Sequence, residues 1–107
     1  MKIDIKIEKA VKEWNDYCQS LLDNYFSSMF PNLEVPEIKF TIGRRYIKVI
    51  REEYHGGSNV WAFIDKNTGD IYKPSSWRAP AKHIRGNVLN EDGGKSCVTC
   101  HGVKYLK

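Results

Sequence analysis

The residue types with the most obvious chemical reach sit near the C-terminal end, where Cys97-Val98-Thr99-Cys100-His101 fits the C-x-x-C-H pattern of covalent haem attachment. Haem is attached outside the cytosol, and no basic segment followed by an apolar stretch opens the chain, so a c-type cytochrome is set aside. Thiolates two residues apart can also share one tetrahedral zinc ion, with His101, His83 or Cys18 completing the set. A single knuckle must borrow its other ligands, so Cys97, Cys100 and His101 stand as metal candidates beside the plainer reading of free thiols, and neither metal nor cofactor is expected. Gly93-Gly94-Lys95-Ser96 imitates the end of a phosphate-binding P-loop, but that pattern needs glycine where Leu89 stands, and it is rejected. The three histidines, His55, His83 and His101, do not fall with a nucleophile and an orienting acid. Asp65 and Asp70 flank a turn, where an aspartate more often caps backbone than transfers protons. The reading is a binding protein, not an enzyme.

The stretch from Ile71 to Asn87 is richer. Residues 1–70 hold ten Lys/Arg against eleven Asp/Glu, whereas residues 71–107 hold seven against two, so the whole net charge of +4 comes from the last third. Lys73, Arg78, Lys82 and Arg85 fall in one segment without an acidic residue, which points to an anionic partner. Lys73 at a strand end, Ser75 and Ser76 in a loop, and Lys82 and Arg85 three apart on a short helix can converge on phosphate. Arginine supplies a bidentate fork, lysine a point charge, and the helix start near Ala81 free amides. Trp77, Tyr72 or Tyr46 can stack on a base. The expected ligand set is Tyr46, Lys48, Lys73, Ser75, Ser76, Trp77, Arg78, Lys82, Arg85 and Asn87. The plainer reading is that Trp77 fills a seam and the cations are solvated or pair with Glu52, Glu53 and Asp70.

Positioning those residues requires elements, and the hydrophobic period supplies them. From Ile3 to Met29 apolar residues recur in steps of three and four, which predicts an amphipathic helix ended by Pro31 and Pro36. After Pro36 the period becomes two. Ile38, Phe40 and Ile42 predict a first strand, Arg44 to Tyr54 a second, Asn59 to Asp65 a third and Asp70 to Lys73 a fourth, with glycine turns between. Within the second strand Arg45, Ile47, Val49 and Arg51 face one way, and Tyr46, Lys48, Ile50 and Glu52 the other. A short helix from Ala81 to Arg85, stopped by Gly86-Asn87 as a left-handed cap, and a last short strand from Val103 to Leu106 complete the expectation. The fold class is α+β: one long helix on an antiparallel meander of about four strands, with a short helix after the last main strand. With 107 residues, 41% of them hydrophobic and 28% charged, the chain suits one globular domain; disorder and a disulfide scaffold are poor readings. No apolar run approaches the ~20 residues of a membrane span, and a sheet this small has edges that favour a homo-oligomer.

The segment Ala62-Phe63-Ile64-Asp65 … Thr68-Gly69-Asp70-Ile71-Tyr72-Lys73-Pro74-Ser75-Ser76-Trp77-Arg78-Ala79-Pro80-Ala81-Lys82-His83-Ile84-Arg85-Gly86-Asn87, preceded by Gly43-Arg44-Arg45-Tyr46-Ile47-Lys48, resembles a group of small tailed-bacteriophage proteins. The match covers residues 43–87 plus Tyr105-Leu106, and departs at Ser75, where the group has alanine. The resemblance implies a phage origin and the cytoplasm of an infected bacterial host, without a mechanism. By analogy, one expectation is a sponge that sequesters a nucleotide immune signal without cleaving it. Another is single-stranded nucleic-acid binding, with Trp61, Phe63, Tyr72 and Trp77 as stacking platforms. The third is an inhibitor of a host protein.

Overall fold

A computed structural model of the chain describes residues 3–104. Helix α1 spans Ile5–Met29 and is capped by Asp4, whose carboxylate accepts from the Lys6 N–H at 2.8 Å. One stripe, Ile7, Val11, Trp14, Cys18, Leu22 and Phe26, is buried, as the period of 3.6 requires. The strands are β1 (Glu37–Ile42), β2 (Tyr46–Glu52), β3 (Ser58–Asp65), β4 (Asp70–Pro74) and β5 (Pro80–Asn87). They form one antiparallel sheet in the order β1-β2-β3-β4-β5. A one-turn 3-10 segment (Lys95–Cys97) and a hairpin of β6 (Val98–Thr99) with β7 (Gly102–Val103) close the described chain. No described helix is long and apolar enough to cross a membrane.

The helix covers one face of the sheet, against Ile38, Ile47, Val49, Ala62, Ile64 and Ile71, and among the described residues no second long helix is present to cover the other. The two faces of β2 alternate as its sequence predicts: Ile47 and Val49 are fully buried, while Tyr46, Lys48 and Ile50 lie on the outer face. The start of the β1 edge is occupied by the helix at Ile38, whose N–H donates to Gln19 at 2.7 Å and whose carbonyl accepts from Asn15 at 3.1 Å. An exposed edge of this kind would otherwise template strand addition.

The segment after Pro74 departs from expectation. Residues 80–87 form a fifth strand where a helix over Ala81–Arg85 was predicted, because five residues cannot meet the cost of helix nucleation alone and the exposed edge of β4 offers backbone partners. Gly86 is an extended strand residue, not a left-handed cap. A Cβ there would lie 3.0 Å from the Cys97 sulfur, so the close approach of β5 to the 3-10 turn is what requires glycine. The predicted last strand is seen as Gly102–Val103 only; Tyr105 and Leu106 lie outside the described residues.

The Gly93-Gly94 segment has a structural role. Trp14 Nε1 donates to the Gly94 carbonyl at 3.0 Å, tying the C-terminal turn to the helix. Gly94 has φ 80°, and a Cβ on it would meet Ile71 Cδ1 at 2.5 Å, so any other residue would strain the backbone and displace Ile71. Hydrogen bonding from the Ser96 side chain, and then from the Gly94 and Ser96 N–H groups, holds the Asp92 carboxyl below the usual range.

Candidate functional site

Side-chain alternation in β2, β3 and β4 assembles an aromatic and cationic patch on the outer face. Tyr46, Phe63 and Tyr72 stand on neighbouring strands, with ring centroids 6.0 Å apart from Tyr46 to each of the others. Phe63 is only 3% exposed, beneath Tyr46, Tyr72 and its direct cross-strand partner Lys48. The Lys48 ammonium lies 4.4 Å from the centre of the Trp77 ring, and the Arg45 guanidinium 5.1 Å from that of Tyr46. Burial pushes the Tyr72 hydroxyl up, and Asp70 adds to the shift.

Trp77 is held at this position by its loop. The Ser75 and Ser76 N–H groups both donate to the Ala79 carbonyl, at 3.0 and 3.2 Å, and the Ser75 hydroxyl donates to the same oxygen at 3.1 Å. The Ser76 hydroxyl accepts from the Arg78 N–H. The two serines therefore shape the loop before they can meet a ligand, and the ring they position is 49% exposed. Between this loop and the first residues of β3 runs an open groove of about 300 Å³, lined by Ser58, Asn59, Val60, Pro74 and Trp77 among others. Arg78 and Lys82 are exposed on the adjoining loop and strand.

Other predicted ligands are elsewhere. Lys73 and Arg85 fall to the opposite side: Lys73 Nζ donates to the Val103 carbonyl at 2.7 Å, and Arg85 Nη1 to the Lys104 carbonyl at 2.8 Å. Desolvation, with Arg85 nearby, lowers the Lys73 ammonium. In a strand, residues three apart such as Lys82 and Arg85 point to opposite faces, so the helical pairing expected for them does not exist. Asn87 is consumed by the β3–β4 turn, donating to the Thr68 carbonyl and Asp70 and accepting from the Leu89 N–H. Trp61, 5% exposed, belongs to the core beside Cys18, and buried Phe63 presents no face to stack on. The outcome is a divided set. Tyr46, Lys48, Trp77, Arg78 and Lys82 remain available, while Lys73, Ser75, Ser76, Arg85 and Asn87 hold the scaffold.

The cysteine motif is divided as well. Cys97 is buried, its thiol donating to the Gly94 carbonyl, whereas Cys100 is half-buried in the hairpin turn. Burial pushes the Cys97 thiol up to about 11 and the Cys18 thiol up to about 12. The His101 ring packs on Tyr25 at 5.2 Å, and no three metal-ligating side chains converge among the described residues.

Two features escaped sequence reasoning. Arg45 stacks on its own neighbour Tyr46, which strand alternation gives no reason to expect. The groove wall at Ser58 to Val60 arises because β3 runs past the end of β4, and the predicted strand lengths already contained that mismatch.

Two further cavities carry more carboxylates than cations, with Lys95 in the first and His55 in the second. The one between α1 and the 88–95 turn is lined by Glu13, Glu91 and Asp92, and the one at the end of α1 by Glu34 and Glu53. A family of unknown function, DUF7717, matches residues 2–103. The chain belongs to that family. No curated protein and no solved structure matches it. The DUF7717 match spans the helix, the whole five-stranded sheet and the C-terminal hairpin, so the outer face lies wholly inside the family's domain.

Proposed function

We propose that this DUF7717 protein binds single-stranded nucleic acid on the outer face of its sheet and leaves it chemically unchanged. The observation that carries the reading is the Trp77 indole, half-exposed, fixed by its loop and lying 4.4 Å from the Lys48 ammonium. Such a ring offers one base a stacking platform, and Lys48, Arg78, Lys82 and Arg45 supply cations for the phosphates on either side. The face is open and broad, which suits a strand running across it. A deep pocket enclosing a free nucleotide needs converging cations, and Lys73 and Arg85 are turned away.

A second reading keeps some support. The groove beside Trp77 has about 300 Å³, the lower end of small-ligand sites, and would take one nucleotide, as in sequestration of a signalling nucleotide.

Equilibrium binding separates them. A fluorescent single-stranded oligonucleotide, its duplex and a panel of mono- and cyclic nucleotides are titrated in rising salt. The strand reading expects binding of the single strand with log Kd rising linearly with log salt. Tight binding of one nucleotide with little salt dependence would move the assignment to the second reading, and no binding of either would refute both.

A further inference from the structure

Where α1 ends, apolar side chains stand in the open. Nine large apolar side chains are exposed among the described residues, and four of them, Met29, Phe30, Leu33 and Tyr54, belong to the last turn of α1, the loop after it and the β2–β3 turn. They are held in place. The Phe30 ring packs on Phe26 and Tyr25, with centroids 5.5 and 5.8 Å apart, and the Leu33 N–H donates to the Phe30 carbonyl at 3.0 Å. Between the loop and the turn lies a cavity of about 420 Å³, larger than the groove at Trp77 and lined by Phe26, Leu33, Glu34, Glu53, Tyr54 and His55 among others. A cluster of exposed apolar groups around a cavity marks a contact surface.

The rim of this cavity is negative. The Arg51 guanidinium, 5.9 Å from the centre of the Phe26 ring, is already bonded to Glu53, while Glu34 has no ion pair among the described residues. Helix α1 carries no basic residue in its last turn, so the negative end of its dipole is uncompensated there. An apolar socket with such a rim calls for an apolar side chain flanked by cations. The chain itself carries one. Of the five exposed large apolar side chains elsewhere, Ile5, Ile42, Trp77, Ile84 and Leu89, Trp77 is the one aromatic, and its ring lies 4.4 Å from the Lys48 ammonium with exposed Arg78 next in the chain. Aromatic and arginine side chains are the ones that anchor protein interfaces.

We infer that the occupant of this cavity is a second copy of the chain, with Trp77 of one copy seated between Leu33 and Tyr54 of another. Lys48 and Arg78 then face Glu34 and the end of α1. Contact between like patches would set carboxylate against carboxylate or cation against cation, whereas these unlike patches bring opposite signs together. The cavity has room for an indole. This contact does not need the strand-binding reading, but it uses the same ring, so a bound strand and a second copy exclude one another at Trp77.

Sedimentation of the full chain, free of nucleic acid, is followed over rising protein concentration at low and high salt. The average mass is expected to climb above that of the monomer, and less so in high salt. Trp77→Ala and Leu33→Asp, both at exposed positions, are each expected to weaken association roughly tenfold or more, while Ile5→Asp, an exposed apolar position outside both patches, leaves it unchanged. The mixture of the two weakened variants is decisive. Leu33→Asp keeps an intact Trp77 and Trp77→Ala an intact cavity, so an equimolar mixture should regain a complex containing one of each. A wild type that stays monomeric up to about 1 mM would overturn the inference, as would association that survives in both variants or variants that stay apart when mixed. A single-stranded oligonucleotide that binds is expected to disperse the copies, and a bound strand that leaves them assembled would likewise overturn it. An oligonucleotide that does not bind counts against the strand reading alone, since the variant measurements contain no nucleic acid.

Discussion

The two faces of the β4–β5 region carry similar residues and do different things with them. On the outer side, Trp77, Lys48 and Arg78 touch one another or solvent, and their polar groups are available. On the inner side, Lys73 and Arg85 are of the same chemical types but are directed at the carbonyls of Val103 and Lys104, where they fasten the C-terminal hairpin to the sheet. A basic residue is thus no guide to a phosphate site until the strand parity under it is known. The difference is that the outer groups stay exposed while the inner ones are taken up by the chain's own hairpin.

That contrast can be broken most forcefully from the scaffold side. Gly94→Ala places a Cβ against Ile71 in a left-handed conformation, and is expected to cost about 3 kcal/mol of stability, read as a lowered midpoint in urea unfolding. Trp77→Ala should do the reverse. Its ring is half-exposed, so stability changes by less than about 0.5 kcal/mol. Loss of one stacking platform, worth about 1–3 kcal/mol per base, should weaken single-strand binding roughly tenfold or more in a polarisation titration. Arg78→Ala and Lys82→Ala should each give a smaller loss and reduce the slope of log affinity against log salt by about one, while Lys73→Met should lower stability and leave that slope unchanged.

The thiols give the smallest effect and the cleanest division between buried and open positions. Folding raises Cys18 to about 12 and Cys97 to about 11 from an ordinary value of 9.0, so the folded state holds protons that the unfolded state releases. Stability from this source is complete below pH 9 and falls as pH rises towards 12, which alkaline unfolding curves of wild type and Cys18→Ala would compare. At neutral pH one thiol, Cys100, should react promptly with a disulfide reagent in the folded protein, and Cys100→Ser should abolish that fast phase.

Much of the fold was legible because period alone dictates it. The steps of three and four in α1 and the alternation in β2 each state which residues face the core, and the buried sets follow them, whereas β3 is buried on both faces from Trp61 to Asp65. Strand β5 was not legible. Ala81-Lys82-His83-Ile84-Arg85 has no apolar alternation, and its register with β4 shifts twice, so its extended state comes from pairing with β4 and not from its own residues. The site was legible by residue type at Trp77, Lys48 and Tyr46. It was illegible at Lys73, Arg85 and Asn87, because which side a strand residue faces, and what waits there, depends on a hairpin distant in sequence. The motif at Cys97 illustrates the same point, since its spacing fits a ligand pair while packing under Gly86 and Gly94 takes one thiol into the core.

Photochemical cross-linking of the full chain to a short single-stranded oligonucleotide, with the modified residues identified by mass spectrometry, asks directly which face meets the ligand. Cross-links at Trp77 and its outer-face neighbours Tyr46, Lys48 and Tyr72, lost in competition with unlabelled strand, are the predicted result. Cross-links concentrated on Lys73, Arg85 or the β6–β7 hairpin would contradict the assignment of the outer face.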